Sequence, residues 1–180
     1  GTANIGLLGW AQKWATSPLR FFMDQVIKVT FPAFSRMQDN KEELSKTLTK
    51  SIFFINILVF PSTVALVILS PILVSIIPKY SKWQPALLAL SLIAINTLWA
   101  SVTTPLTNAL NAIGKIHTTF RLMIMWTILT WIFVPVLSYS YGINGAAGGY
   151  AIVGSSSIIA ILIATKSIPI NIWNSVGKPI

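Results

Sequence analysis

Residues 122–165 contain no charged side chain. As one helix this stretch would extend about 66 Å at 1.5 Å per residue, roughly twice the ~30 Å hydrocarbon core of a bilayer. A single span uses only half of it, so the chain must fold back. The reversal is readable at Tyr139-Ser140-Tyr141-Gly142-Ile143-Asn144-Gly145, where tyrosines suit the membrane–water interface and glycines suit a turn. The expectation is two spans, at about 122–138 and 145–165.

Residues 51–78 and 85–114 are also uncharged, and each is long enough for one crossing. Pro61, Pro71 and Pro105 predict bends, tolerated where neighbouring groups satisfy the freed carbonyls. Pro85 suits a helix start. Charged residues make up 9% of the chain, against roughly a quarter in a soluble domain. With a mean hydropathy of +0.72, this predicts an all-α polytopic membrane bundle of about five helices. The net charge of +9 would suit nucleic acid, but in so apolar a chain the cations belong to loops at anionic headgroups, and no nucleic-acid partner is expected. The absence of cysteine excludes disulfides, thiol catalysis and thiolate metal sites.

Residues 5–34 have helical length but a different character. On a helical wheel Lys13, Ser17, Arg20, Asp24 and Lys28 fall within an arc of about 80°. Leu7, Leu8, Trp10, Trp14, Leu19, Phe21, Phe22, Val26 and Ile27 make the rest of the surface largely apolar. Such a helix either lies in the membrane interface or spans with its polar stripe turned to a water-filled cavity.

The connecting regions set an orientation. Arg36, Lys41, Lys46 and Lys50, then Lys115 and Arg121, then Lys166 and Lys178 share one side if the helices alternate. Lys79 and Lys82 stand alone on the other side, and the positive-inside rule places the first set in the cytoplasm. Residues 1–50 thus read as a polar-striped helix with a basic cytoplasmic loop, 51–165 as four transmembrane helices, and 166–180 as a cytoplasmic loop. The chain opens on Gly1 without a signal-peptide pattern, and residues 173–180 read as loop. A piece of a longer protein is expected.

Several stretches are familiar in combination. Leu8-Gly9-Trp10-Ala11 followed by Phe31-Pro32-Ala33-Phe34-Ser35-Arg36-Met37-Gln38-Asp39 resembles the flippases of the polysaccharide-biosynthesis, or O-antigen exporter, family. Phe60-Pro61, Asn111-Ala112-Ile113-Gly114-Lys115 and Tyr141-Gly142-Ile143-Asn144-Gly145-Ala146-Ala147-Gly148 are similar to that family's later elements and come in its order. The resemblance implies half of a MATE-like two-lobe transporter, beginning near the start of its second half. It also implies a substrate, undecaprenyl-diphosphate-linked oligosaccharide, carried across the bacterial cytoplasmic membrane for surface polysaccharide synthesis. A missing N-terminal half would be its partner in the same protein. The resemblance implies no enzyme and no cofactor.

The resemblance transfers no functional residues, so candidates rest on physics. Lys13, Arg20 and Lys28 are the candidate substrate-binding cations: a lipid diphosphate crossing a low-dielectric region needs positive charge beside it, and arginine binds phosphate in a bidentate way. The structural alternative pairs Arg20 with Asp24 at i,i+4 and lets Lys13 and Lys28 snorkel. Asp24 is either the coupling carboxylate for H+ or Na+ or an ion-pair partner for Arg20 or Lys28. Asn96, Asn108 and Asn111 are candidates for a sugar path, with interhelical hydrogen bonding as the alternative. His117, the single histidine, reads as a loop residue at the headgroups, and no metal site is expected. Gly145 and Gly149 read as a helix-packing pair. Gly154-Ser155-Ser156-Ser157 lacks the histidine a serine nucleophile needs. The competing functions are a cation-coupled multidrug exporter of the same superfamily, which would favour acidic cavity residues, and a membrane polysaccharide polymerase or ligase.

Overall fold

A computed structural model describes residues 2–168; residues 169–180, with Lys178 and the loop expected at 173–180, lie outside them. The described residues form α1 (Thr2–Arg36), α2 (Lys41–Ile76), a 3₁₀ turn (Ser81–Ala86), α3 (Leu87–Ala112), α4 (Ile116–Ser155) and α5 (Ser157–Ser167). The fold is an all-α membrane bundle, without a strand among the described residues. The stretches Lys41–Ile76, Ser81–Ala112 and Ile116–Ser167 are long and apolar enough to cross a bilayer.

The reversal expected near residue 142 is made by a single residue. Gly142 adopts φ 60°, ψ −138°, a conformation closed to residues with a Cβ, while helix continues on either side. Residues 143–155 then run back along the part of α4 just before the turn, with Gly145 against Leu137 and Gly149 against Val134. A Cβ on Gly145 would collide with the Leu137 carbonyl, and one on Gly149 would lie 2.9 Å from Val134 Cα. The Gly145/Gly149 pair therefore permits backbone-to-backbone approach within the hairpin, which is how small residues at four-residue spacing hold membrane helices together.

Helix α1 runs antiparallel to α2 along the bundle. Phe34 is buried with Leu44 and Leu48, Met23 with Ile55 and Val59, and Ala11 packs in a cluster that Leu66 and Val67 flank. The bundle packs this striped helix lengthwise against α2 and α3. Its approach to α3 is close because Ala11 and Ala15 are fully buried, and Thr97 Oγ1 donates to the Ala15 carbonyl at 3.0 Å.

Two regions expected as loops are helical. Residues 41–50 form the start of α2: Asn40 Oδ1 accepts from the Glu43 backbone N–H at 3.2 Å, Asn40 Nδ2 donates to Glu43 Oε2 at 3.3 Å, and Lys46 pairs with Glu42 at 2.7 Å. Charge marks where the membrane ends, and a capped helix continues through it. Likewise α4 begins at Ile116, so His117 and Arg121 sit on its first turns and are exposed. The connection before it is short because α3 closes in a Schellman arrangement. Gly114 takes φ 76°, Lys115 N–H donates to Leu110 O, and Gly114 N–H donates to Asn111 O.

The prolines sit inside continuous helices: Pro61 and Pro71 in α2, Pro105 in α3. At Pro71 the i−4 carbonyl that loses its donor is that of Val67, and Ser70 Oγ donates to it at 3.1 Å.

Candidate functional site

The polar stripe of α1 opens onto a cavity of about 350 Å³. Gly9, Gln12, Lys13, Thr16 and Arg20 line it from α1, Ile93 and Asn96 from α3, and Tyr150 from the returning half of α4. Local chemistry explains the gap. Ala11 and Ala15 seat α1 against α3 on one side of the helix, and the polar residues next to that seam are held off the apolar surface. Thr16 donates to Gln12 O at 2.8 Å, which spends its proton within the helix and leaves its oxygen as an acceptor.

The cavity gathers positive charge without an opposing carboxylate. Lys13 and Arg20 are two turns apart, about 10 Å along the helix. Both are exposed. Asp24 does not line the cavity, and among the described residues the ion pair within 4 Å is Glu42–Lys46. The pairing of Asp24 with Arg20 or Lys28, the structural alternative for the stripe, is not formed. Lys28 lies two turns beyond Arg20 and reaches Gln25 Oε1 at 3.5 Å. The structure therefore brings Lys13 and Arg20 together and leaves Lys28 outside.

Asn96 joins this cavity to a second one of about 250 Å³, lined also by Thr103, Thr104, Thr107, Trp126 and Ser157. Gly154 keeps the junction tight: a Cβ there would lie 2.7 Å from Asn96 Cα and Oδ1. Thr103 and Thr107 donate to carbonyls of their own helix, at 3.1 and 3.0 Å, so their oxygens face the second cavity as acceptors. Trp126 Nε1, buried, has no partner and supplies a donor. Asn108 and Asn111 line neither cavity, and Asn108 Nδ2 is buried without a partner. Of the three asparagines expected along one path, Asn96 alone lines these two cavities.

Sequence reasoning missed Gln12, Thr16, Tyr150, Trp126 and the threonines of α3. Gln12 and Thr16 stand beside the charged arc, so a wider arc would have included them. Tyr150 and Trp126 sit in long uncharged runs where nothing local marks them. A buried pair in the middle of the bundle was also missed: Ser101 Oγ lies 2.7 Å from Asn56 Oδ1, linking α3 to α2.

At the other end of α1 the basic stretch of α2 is solvent-exposed. The hydrogen bond from Lys46 and its charge hold the Glu42 carboxyl below the usual carboxylate range, and Glu42 in turn raises Lys46.

Residues 1–88, which contain α1 and α2 whole, match the family model described as polysaccharide biosynthesis protein. A membrane protein of the cps region of Klebsiella pneumoniae, itself uncharacterized, is 32% identical over 155 residues, 84% of this chain and 31% of that protein. The lipopolysaccharide biosynthesis protein WzxC of Escherichia coli K12 is 28% identical over 123 residues, 68% of this chain and 24% of that protein. Over its first 88 residues this chain is similar to the polysaccharide-biosynthesis protein family. It spans less than a third of the length of these relatives. No solved structure matches it.

The family match and the cavity overlap only in part. Lys13 and Arg20 fall inside the matched segment, whereas Asn96 and Tyr150 lie beyond it.

Proposed function

We propose that this chain is one lobe of a two-lobed, MATE-like carrier that moves undecaprenyl-diphosphate-linked oligosaccharide across the bacterial cytoplasmic membrane. The observation that carries the reading is the cavity wall bearing Lys13 and Arg20 with no carboxylate lining it. A diphosphate leaving water needs compensating charge, and two cations supported by neutral hydrogen-bonding groups supply it. Asn96, Tyr150 and Gln12 offer amide and hydroxyl partners for sugar hydroxyls beside that charge. The exposed face of the stripe is open to a second lobe from the rest of the protein, and rocking of two lobes about such a site is how carriers built from repeats expose it to each side in turn. The chain would be multi-pass with Arg36 on the cytoplasmic side.

Asp24, the candidate coupling carboxylate for H+ or Na+, is exposed and unpaired one turn from Arg20 and lies outside the cavity. A cation-coupled multidrug exporter is the runner-up, but the acidic residues of the chain are Asp24, Asp39, Glu42 and Glu43, and none lines the cavity. A polymerase or ligase has less support, since no histidine, cysteine or carboxylate lines the cavity to activate a hydroxyl nucleophile. The test is a deletion of the full-length gene with mass spectrometry of extracted lipids and parallel drug-sensitivity assays. Accumulated diphosphate-linked oligosaccharide with loss of surface glycan is expected. Normal glycan lipids with heightened drug sensitivity would favour the exporter.

A further inference from the structure

On the opposite flank of the same α1 surface lies a groove of another kind. Its volume is about 340 Å³, and Trp10, Trp14, Leu66, Leu69, Leu73 and Leu90 form much of its wall. Along α2 it extends from Ser62 to Ile77, about 22 Å at 1.5 Å per residue, whereas one leaflet of a ~30 Å core is roughly 15 Å deep. A helix over the same length, roughly 10–12 Å across with its side chains, would need several times that volume. It has the proportions of a single hydrocarbon chain.

Its chemistry agrees. Three hydroxyl-bearing residues line it, and the two serines are already spent: Ser62 Oγ donates to Leu58 O at 2.7 Å and Ser70 Oγ to Val67 O at 3.1 Å, while Tyr80 stands at the end next to Lys79 and Lys82. From Ser62 to Ile77 the groove thus asks its occupant for no hydrogen bond, and hydrocarbon fills that stretch without leaving a serine hydroxyl stranded.

The mouth of the groove is cationic. Trp10 stacks on Trp83 with centroids 5.2 Å apart and planes 9° apart, and Lys82 Nζ sits 5.1 Å from the Trp83 ring centroid. Lys79, directly after the proline that follows α2, is the non-glycine residue with positive φ, at 69°, among those described. Every carboxylate side chain of the chain lies at or before residue 43. Neither lysine forms an ion pair among the described residues. Two lysines beside an interfacial tryptophan, with no acidic side chain to neutralise them, complement an anionic headgroup.

We propose that this groove is a binding site for an anionic phospholipid of the leaflet at the Trp83 end. One acyl chain lies between α1 and α2, and the headgroup phosphate sits on Lys79 and Lys82. The site is distinct from the Lys13/Arg20 cavity and stands whether or not the flippase reading does.

The test is native mass spectrometry of the detergent-solubilised full-length protein titrated with phosphatidylglycerol or phosphatidylcholine. The unaltered protein is expected to retain phosphatidylglycerol preferentially. Lys82→Glu, an exposed change that removes the cation over Trp83 but no residue lining the groove, should weaken that retention by about fivefold or more and spare phosphatidylcholine. Leu69→Trp, which fills the groove, should lower retention of both lipids. Equal retention of the two lipids by the unaltered protein, or an unchanged preference in Lys82→Glu, would mean ordinary annular lipid and overturn the proposal. Loss of thermal stability in Leu69→Trp with no change in lipid retention would mean that another part of the protein covers the groove, and would overturn it as well.

Discussion

Between Gly9 and Arg20, α1 meets α3 through two alanines and leaves a polar cavity beside the seam. Between Met23 and Phe34 the same helix meets α2 through bulky side chains, with Phe34 fully buried against Leu44 and Leu48. The stripe of polar residues runs through both halves, yet only the first half turns it onto a cavity. Small residues bring backbones close on one side, and the neighbouring long polar side chains then have no apolar surface to lie on and frame an opening. Large residues fill the space and leave Lys28 as an exposed cation with a local partner. A charged arc on a helical wheel is therefore not yet a site; the packing next to it decides which of its members converge.

That contrast can be broken most sharply by charge reversal in the full-length protein. Lys13→Glu and Arg20→Glu should each lower transport about 10- to 100-fold, as expected for losing a charged hydrogen bond to phosphate. Lys28→Glu should stay within about threefold of the unaltered protein, because its charge lies outside the cavity. Surface glycan and accumulated lipid intermediate measure both. Equal losses at all three positions would erase the distinction between the two halves of α1.

The packing difference predicts opposite sensitivities to volume. Phe34→Ala should destabilise by about 3 kcal/mol, the lower part of the range for such a truncation, because lipid already supplies an apolar surround. Ala15→Leu should cost about 1–3 kcal/mol by forcing α1 away from α3, and should also break the Thr97 hydrogen bond to its carbonyl. Thermal unfolding in detergent reads both. A tolerated Ala15→Leu would show that the seam is looser than its burial implies.

Smaller effects belong to the helix start outside the apolar run. Asn40→Ala should cost about 1 kcal/mol, the usual loss of an N-cap side chain. Glu42→Gln should have the smallest effect of the set, since its pair with Lys46 is fully exposed. The sign with pH is fixed by the directions of the shifts. Glu42 is held below the ordinary carboxylate value, so its contribution is present above that value and is lost as pH falls through the lowered one. Lys46 is raised, so its contribution is present below the ordinary amine value and fades above the raised one. Thermal unfolding of Glu42→Gln against the unaltered protein at mildly acidic and neutral pH reads this.

Absence of charge made the spans legible, because hydrocarbon excludes charge whatever the neighbours are. The reversal at residues 139–145 was legible for a related reason: a chain too long to cross once must turn where glycine and tyrosine allow. The helical start of α2 carried its own signal in Asn40 and Glu43, masked by the assumption that basic residues mean loop. The cavity was legible on α1 alone. Asn96 and Asn108 look alike in sequence, and both sit on an apolar helix. What separates them is that Asn96 faces α1 and Gly154, which is set by tertiary packing and leaves no local trace. Tyr150 and Trp126 are hidden for the same reason.

The turn at Gly142 also bears on how the protein enters the membrane. The hairpin it joins carries its charge at the base, in Lys115, Arg121 and Lys166, and none at the tip. With the orientation proposed above, moving that tip across the bilayer during synthesis would require the passage of one glycine turn and two exposed tyrosines, with no ionised group to desolvate. The two helices can therefore insert as a preformed pair, held by Gly145 and Gly149, instead of one after the other. A single charge placed at the tip would act on biogenesis before it acted on the folded protein.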